Sequence, residues 1–257
     1  MPDLCLILPP PPDTTSTQFA VDIVRHMWGK SQRMDAERVA IAISDAEYSL
    51  SNLIRIYSEP FGVSISFAET PETYRLLRDF TVTCDNICKK IKPHYMRKRP
   101  FMMFNEPTLT PDKEAEMVVN GSYPSGHTIF GWCAALILSE INPEQTEALM
   151  ARGYMYGESR IIVGAHWQSD VDAGMLAASI LLAKLHSSAA FSAQMGKAKA
   201  EFQAIKNGPS GVNVIQRHDD IVDESTYHLS GYQLPHHSSN GIYIQSGKKH
   251  VPSRVQN

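Results

Sequence analysis

The sequence predicts an all-α protein, a single-domain helical bundle, and three observations carry that expectation. Apolar residues recur at helical spacing, as in Phe19, Ile23, Val24 and Met27, and again in Val39, Ala42, Ile43 and Ala46. A third stripe, Leu77, Phe80, Cys84, Ile87, Cys88 and Ile91, follows a helix-start signal at Thr70-Pro71-Glu72, with Thr as cap and Pro in the first turn. No sustained strand alternation and no strand–helix alternation is present, and residues 63–67 are the sole strand candidate.

Taken in order, residues 1–16 form a proline-rich arm, because Pro9 to Pro12 favour extended polyproline backbone. The domain proper is expected over 17–207. Its helices start at Thr17, cover the 39–46 stripe, and run from Pro71 to a stop near Lys92-Pro93. Residues 93–124 are rich in Pro, charge and turn residues and read as irregular. Helices are expected over about 127–141, 143–163, 166–186 and 189–206. After Asn207-Gly208-Pro209 the composition turns to Gly, Ser, His and Asn, so 208–257 reads as a disordered or loosely attached tail. His218, His228, His236, His237 and His250 lie there at spacings that fit no metal-ligand pattern.

Bulk properties exclude several classes. The 257 residues are 43% apolar and 20% charged, ordinary for a globular chain. With 24 basic and 27 acidic residues the net charge is −3, which argues against a nucleic-acid partner. No run approaches the roughly 20 apolar residues of a membrane span; residues 132–138 and 173–183 read as core helices. The opening MPDLCLILPPPPDTT lacks the basic region and long apolar stretch of a secretory signal, pointing to the cytoplasm for a complete chain, or to a mature or shortened form. Cys5, Cys84, Cys88 and Cys133 read as free thiols, mostly buried.

Three clusters carry candidate chemistry. The first is KPHYMRKRP, with Lys92, Arg97, Lys98 and Arg99; a charge run of this kind is most often a solvated face. The second is Pro124-Ser125-Gly126-His127, directly ahead of an apolar run. It starts a helix structurally, and its small residues also leave backbone N–H groups bare where an anion binds well. The third, GESRIIVGAHWQSDVDAG, holds Ser159, Arg160, His166 and Asp170. His166 and Asp170, four apart, share a helix face, so the carboxylate can fix the imidazole tautomer and stabilise a positive ring. Alone, such a pair is more often a surface contact. Arg forks match phosphate oxygens two at a time, whereas Lys acts as a point charge.

In order, Lys92-x6-Arg99-Pro100, Pro124-Ser125-Gly126-His127 and Ser159-Arg160-x5-His166-x3-Asp170 resemble the three-part signature of the type 2 phosphatidic acid phosphatase superfamily. All eleven signature residues are present, with 23 and 31 residues between the parts. Within that superfamily the chain is similar to bacterial class A non-specific acid phosphatases, including apyrase-like members. LPPPP, HYMRKRPF, NGSYPSGHT, SEINP and GAHWQSDVDAG carry that likeness, which covers roughly residues 6–206. The resemblance implies an all-helical fold, no cofactor or metal, and small phosphorylated substrates with inorganic phosphate as product. It makes His166 the nucleophile, Asp170 its orienting partner, and His127 the acid and base. Lys92, Arg99, Ser125, Gly126 and Arg160 would hold the phosphoryl oxygens. It also implies export to the periplasm and self-association into a homo-oligomer.

The two histidines would need opposite protonation states, which favours an acidic-to-neutral working range. Vanadium-dependent haloperoxidases, whose vanadate mimics the phosphoryl transition state, and a non-catalytic phosphate binder are the alternatives. Around the clusters, Trp132 reads as core. Tyr123 and Trp167 either shape a pocket or pack, His94 and Arg97 read as surface, and Glu106 and Asp112 are candidates for a lid.

Overall fold

Helix starts in this chain are written by side-chain oxygens. Ser16, Asp35, Ser49, Ser125 and Ser188 each accept a hydrogen bond from a first-turn backbone N–H, satisfying donors that the helix itself leaves without partners. The computed structural model of the protein describes residues 3–208 and, beyond them, four short segments. Its helices are α1 (Leu4–Ile7), α2 (Thr17–Ser31), α3 (Ala36–Ser44), α4 (Leu50–Phe61), α5 (Pro71–Tyr95), α6 (Pro100–Phe104), α7 (Glu114–Val118), α8 (Gly126–Ile141), α9 (Thr146–Val163), α10 (Gln168–His186) and α11 (Ala189–Asn207). The all-α expectation holds for this unit.

At the centre stands α8, buried nearly all round: Ile129, Phe130, Cys133, Ala134, Ala135, Ile137 and Leu138 have no exposed surface. It packs on α9 and α10, with α5 and α11 beside it, and α2 and α3 cover the far side of α9. Small residues set the closest approaches. A Cβ on Gly174 of α10 would stand 2.8 Å from Thr128 Cβ and 2.9 Å from the Ser125 carbonyl oxygen, so only glycine lets α10 touch the start of α8.

Several elements differ from expectation. The proposed 63–67 strand is not one. Val63 and Ile65 do point into the core, but these residues link α4 to α5, and a Thr70 hydroxyl rather than a neighbouring strand takes up the Ser66 N–H. Thr70 is the first cap residue of α5 without supplying the cap bond. The Glu201 carboxylate of α11 accepts from Glu72 N and Thr73 N instead, at 2.8 and 3.0 Å. Nor does α5 stop at Pro93. It runs to Tyr95 and closes with Met96 in left-handed backbone (φ 41°), whose N–H returns to the Lys92 carbonyl. A proline costs a helix one N–H bond, and here buried Ile91 and Lys92 anchor the turn around it. The 93–124 stretch holds α6 and α7, α6 started by Pro100. Residues 143–145 form a 3₁₀ turn ahead of α9.

Of the N-terminal arm, Pro9 to Pro12 carry no helix, as expected, while α1 buries Leu4 against α5. Among the described residues no single helix is long and apolar enough to cross a membrane; α10 and α11 reach that length and apolarity only together, as a pair bent by 97°.

The tail forms a separate unit. Its described residues are four short antiparallel strands, β1 (Thr226–His228), β2 (Gln233–Leu234), β3 (Tyr243–Gln245) and β4 (Lys248–His250), in the order β2-β1-β3-β4. These strands depart from the expected lack of regular structure; β-branched and aromatic residues such as Thr226, Tyr227, Tyr243 and Ile244 suit such pairing. The rest of the tail, including His218, His236 and His237, lies outside the described residues.

Candidate active site

Four helix ends converge on one cavity of about 640 Å³, lined among others by Lys92, Arg99, Gly126, His127, Arg160 and His166. The last turns of α5 and α9 bring Lys92 and Arg160. The first turn of α8 brings Gly126 and His127, and Arg99 caps α6. After Arg160, Gly164 terminates α9 in left-handed backbone (φ 88°), which glycine adopts without strain. The chain reverses there, so that His166 faces the cavity one turn ahead of Asp170 in α10.

Arg99 is buried and heavily engaged. Its Nε donates to the carbonyls of Met117 and Asn120, both at 3.0 Å, and one terminal nitrogen donates to the Ala165 carbonyl at 2.9 Å. That same nitrogen stands 3.1 Å from His166 Nε2. A guanidinium only donates, so His166 Nε2 must be the bare, accepting nitrogen. Its Nδ1 then carries the proton, facing Asp170 Oδ2 at 3.4 Å. Asp170 Oδ2 also accepts from Trp167 N at 2.8 Å, which pins it at the start of α10. Burial, then Arg99, Lys92 and Arg160, push the His166 imidazole well below its ordinary pKa, so it stands neutral.

His127 Nε2 lies 3.2 Å from the Ala46 carbonyl, which can only accept, so Nε2 bears hydrogen and Nδ1 is basic. Burial, Arg160 and His166 push this imidazole well below its usual range too. Ala46 is held in turn through its neighbour. Asp45 is fully buried, paired with Arg152, and accepts from the Ser159 hydroxyl at 2.7 Å. Ser159, a signature residue, therefore serves this network and not the cavity.

The cations are unequally satisfied. Lys92 donates to the Gly121 carbonyl at 2.7 Å, and burial followed by Arg99 pushes its ammonium down to about 8. Burial lowers Arg99 and Arg160 to about 10. Arg160 stands out, since its buried Nε and one terminal nitrogen have no hydrogen-bond partner. Buried donors without partners cost free energy, and here they sit in the wall of a cavity also lined by buried Lys92 and Arg99, with Lys89 and Lys113 further round it. Such a wall suits a compact, multiply charged oxyanion.

Of the expected site residues, His166, His127, Lys92, Arg99, Gly126 and Arg160 share the cavity, and Asp170 stands behind His166. Ser125 does not line it. Its hydroxyl is turned inward, accepting from Thr128 N, and its backbone N–H donates to the Asp170 carbonyl at 2.9 Å, so it ties α8 to α10. Tyr123 and Trp167 are buried packing residues, bonded to the Pro9 and Lys98 carbonyls. Glu106 pairs with Lys30 at 2.7 Å and is no part of the cavity wall, nor is exposed Asp112, whereas Lys113, Glu116 and Met117 are. Arg97, expected at the surface, is instead buried to 9% exposure between Asp22 and Asp170. Tyr48 and Asp85 of the wall were also not singled out from sequence; the Tyr48 hydroxyl donates to Asp85 at 2.8 Å and its ring meets His127 edge-on.

A helical bundle whose helix ends surround two imidazoles with Lys and Arg defines a class, and comparison with known proteins assigns it. Residues 80–193 match the PAP2 superfamily. The non-specific acid phosphatase of Providencia stuartii is 40% identical over 205 residues, covering 79% of this chain and 82% of the relative. That of Salmonella typhimurium is 39% identical (78% and 80% covered), and the acid phosphatase of Zymomonas mobilis is 35% identical (78% and 76%). The chain belongs to the non-specific acid phosphatases of the PAP2 superfamily.

Proposed function

We propose that this protein is an acid phosphatase that hydrolyses phosphate monoesters of small molecules through a phosphohistidine intermediate, without a metal ion. The observation that carries the reading is the placement of a bare His166 Nε2 3.1 Å from Arg99, in a cavity shared with His127, Lys92 and the partnerless Arg160 donors.

In the first step the Nε2 lone pair forms a bond to phosphorus and the ester P–O bond breaks. The leaving oxygen takes a proton from His127. Asp170 faces the Nδ1 proton of a ring that has become positive, and stabilises it. In the second step a water oxygen attacks phosphorus, His127 accepts the water proton, and the P–N bond breaks to restore neutral His166. An alcohol in place of water gives phosphate transfer, and a nucleotide anhydride in place of an ester gives apyrase-like cleavage. The transition state carries its charge on equatorial oxygens, so fixed donors supply much of the catalysis; each is worth roughly 10²–10³-fold in comparable sites. Lys92, Arg99 and Arg160 then take the role that divalent ions fill elsewhere.

Substrate charge solves the protonation problem of His127. Cations around it disfavour the imidazolium, whereas a phosphate dianion among them favours it, so substrate binding arms the general acid. Against a panel of monoesters and nucleotides, hydrolysis should persist in excess chelator and be inhibited competitively by vanadate. Loss of turnover in chelator that returns with a divalent metal would sink metal independence. Bromide oxidation with vanadate and peroxide, without ester hydrolysis, would assign a haloperoxidase instead.

The Lys92 ammonium gives a pH prediction with a defined sign. It is charged below about pH 8 and loses its charge as pH rises through that value. The free-enzyme profile, kcat/KM, should therefore fall on the alkaline side near pH 8. In Lys92→Met that limb should vanish along with most of the activity. An unchanged limb in the variant would assign it to another group.

A further inference from the structure

Resting on the phosphohistidine reading, we propose that Arg97 and Asp22 are positioning residues, a buried two-residue brace that holds Asp170 in line with His166. The chain of contacts is continuous. Arg97 donates to Asp170 Oδ1 at 2.6 Å through one terminal nitrogen and to Asp22 Oδ2 at 2.7 Å through the other. Asp22, from α2, accepts from Ser169 N at 2.8 Å and from the Ser169 hydroxyl at 2.6 Å, and Arg97 also donates to that hydroxyl at 2.8 Å. Asp22 and Asp170 are 1% and 0% exposed.

The geometry divides the labour of the Asp170 carboxylate. Oδ1 is taken by Arg97, which leaves Oδ2 to face the His166 Nδ1 proton. Oδ2 also accepts from Trp167 N, at 2.8 Å, but a carboxylate held at one oxygen alone still pivots about its last bond. A planar fork gripping two carboxylates removes that freedom. The fork also balances charge. Asp22, Arg97, Asp170 and neutral His166 sum to −1, and the positive ring of the intermediate brings the sum to zero. On the Asp170 side of the ring the new charge is thus neutralised, which offsets the opposing Arg99, Lys92 and Arg160 on the cavity side. Arg97 does not line the cavity and touches no substrate, so it acts on turnover through Asp170 and not on binding.

The test compares Arg97→Gln, Arg97→Lys and Asp22→Asn with the wild-type enzyme, following kcat, KM, vanadate inhibition and thermal melting, and the NMR signal of the His166 Nδ1 proton. Arg97→Gln should lower kcat by about 10- to 100-fold while KM and vanadate inhibition stay within about threefold. Arg97→Lys, retaining a charge but not the fork, should recover part of the loss, and Asp22→Asn should lose less than Arg97→Gln. The Nδ1 proton signal should move or exchange faster with water in Arg97→Gln. A merely structural ion pair would lower the melting temperature with kcat per folded molecule and the Nδ1 signal unchanged, which would overturn the brace. If Arg97→Gln fails to fold, Asp22→Asn decides alone: unchanged kcat and unchanged Nδ1 signal would overturn it. Should the wild type itself turn over no phosphoester, the phosphatase reading fails, while the Nδ1 signal still reports on the brace.

Discussion

His166→Ala is expected to lower kcat by about 10⁴-fold or more while leaving the helices intact. Loss of a covalent nucleophile removes both steps of a two-step transfer together, because no other group takes over the bond to phosphorus; losses in comparable systems reach about 10⁶. The folded state loses less. His166 is buried and contacts Arg99 and Asp170, but both keep other partners: Arg99 has four backbone carbonyls and Asp170 has Arg97 and Trp167 N. The net cost of such a hydrogen bond is about 1 kcal/mol, so helical circular dichroism and a cooperative melt should persist. Turnover within tenfold of wild type would remove His166 from its role.

The second large effect separates activity from stability. Arg160 is buried with Nε and a terminal nitrogen lacking partners, so its charge burdens the fold that carries it. Replacing a buried charge by an apolar residue of similar shape is often neutral or stabilising by about 1–4 kcal/mol. Arg160→Met should therefore lower kcat/KM for a phosphomonoester by about 10²–10³-fold while the melting temperature holds or rises by a few degrees. A variant that loses both activity and about 3 kcal/mol of stability would show that Arg160 holds the fold together, and that its donors await no ligand.

What the sequence exposed and what it hid follow from range. Lys92, Arg99, His127, Arg160 and His166 sit within short phrases at helix ends, where spacing is a local property, and the structure gathers them. The α10 start could be read locally as well, because His166 and Asp170 are one turn apart. Asp22, Asp45 and Arg97 could not, since their partners lie 75, 107 and 73 positions away. A lone acid in an amphipathic helix looks like any solvated residue until the helix that covers it is known. Ser125 shows the opposite: within the motif it reads as a holder of phosphoryl oxygens, yet its hydroxyl caps α8, and the Ser159 hydroxyl beside the third cluster holds Asp45. Helices with one apolar stripe were legible, whereas Pro93 misled because packing around Ile91 and Lys92 outweighed local backbone preference.

The enclosure of α8 has an outcome for how the site holds charge. Hydrocarbon surrounds that helix almost along its length, and its positive end opens at Gly126 and His127. A dipole set in so poorly polarisable a medium is scarcely damped by dissolved ions, unlike attraction between charges at the protein surface. Added salt would slow the approach of an anion from solution far more than it would loosen one already seated.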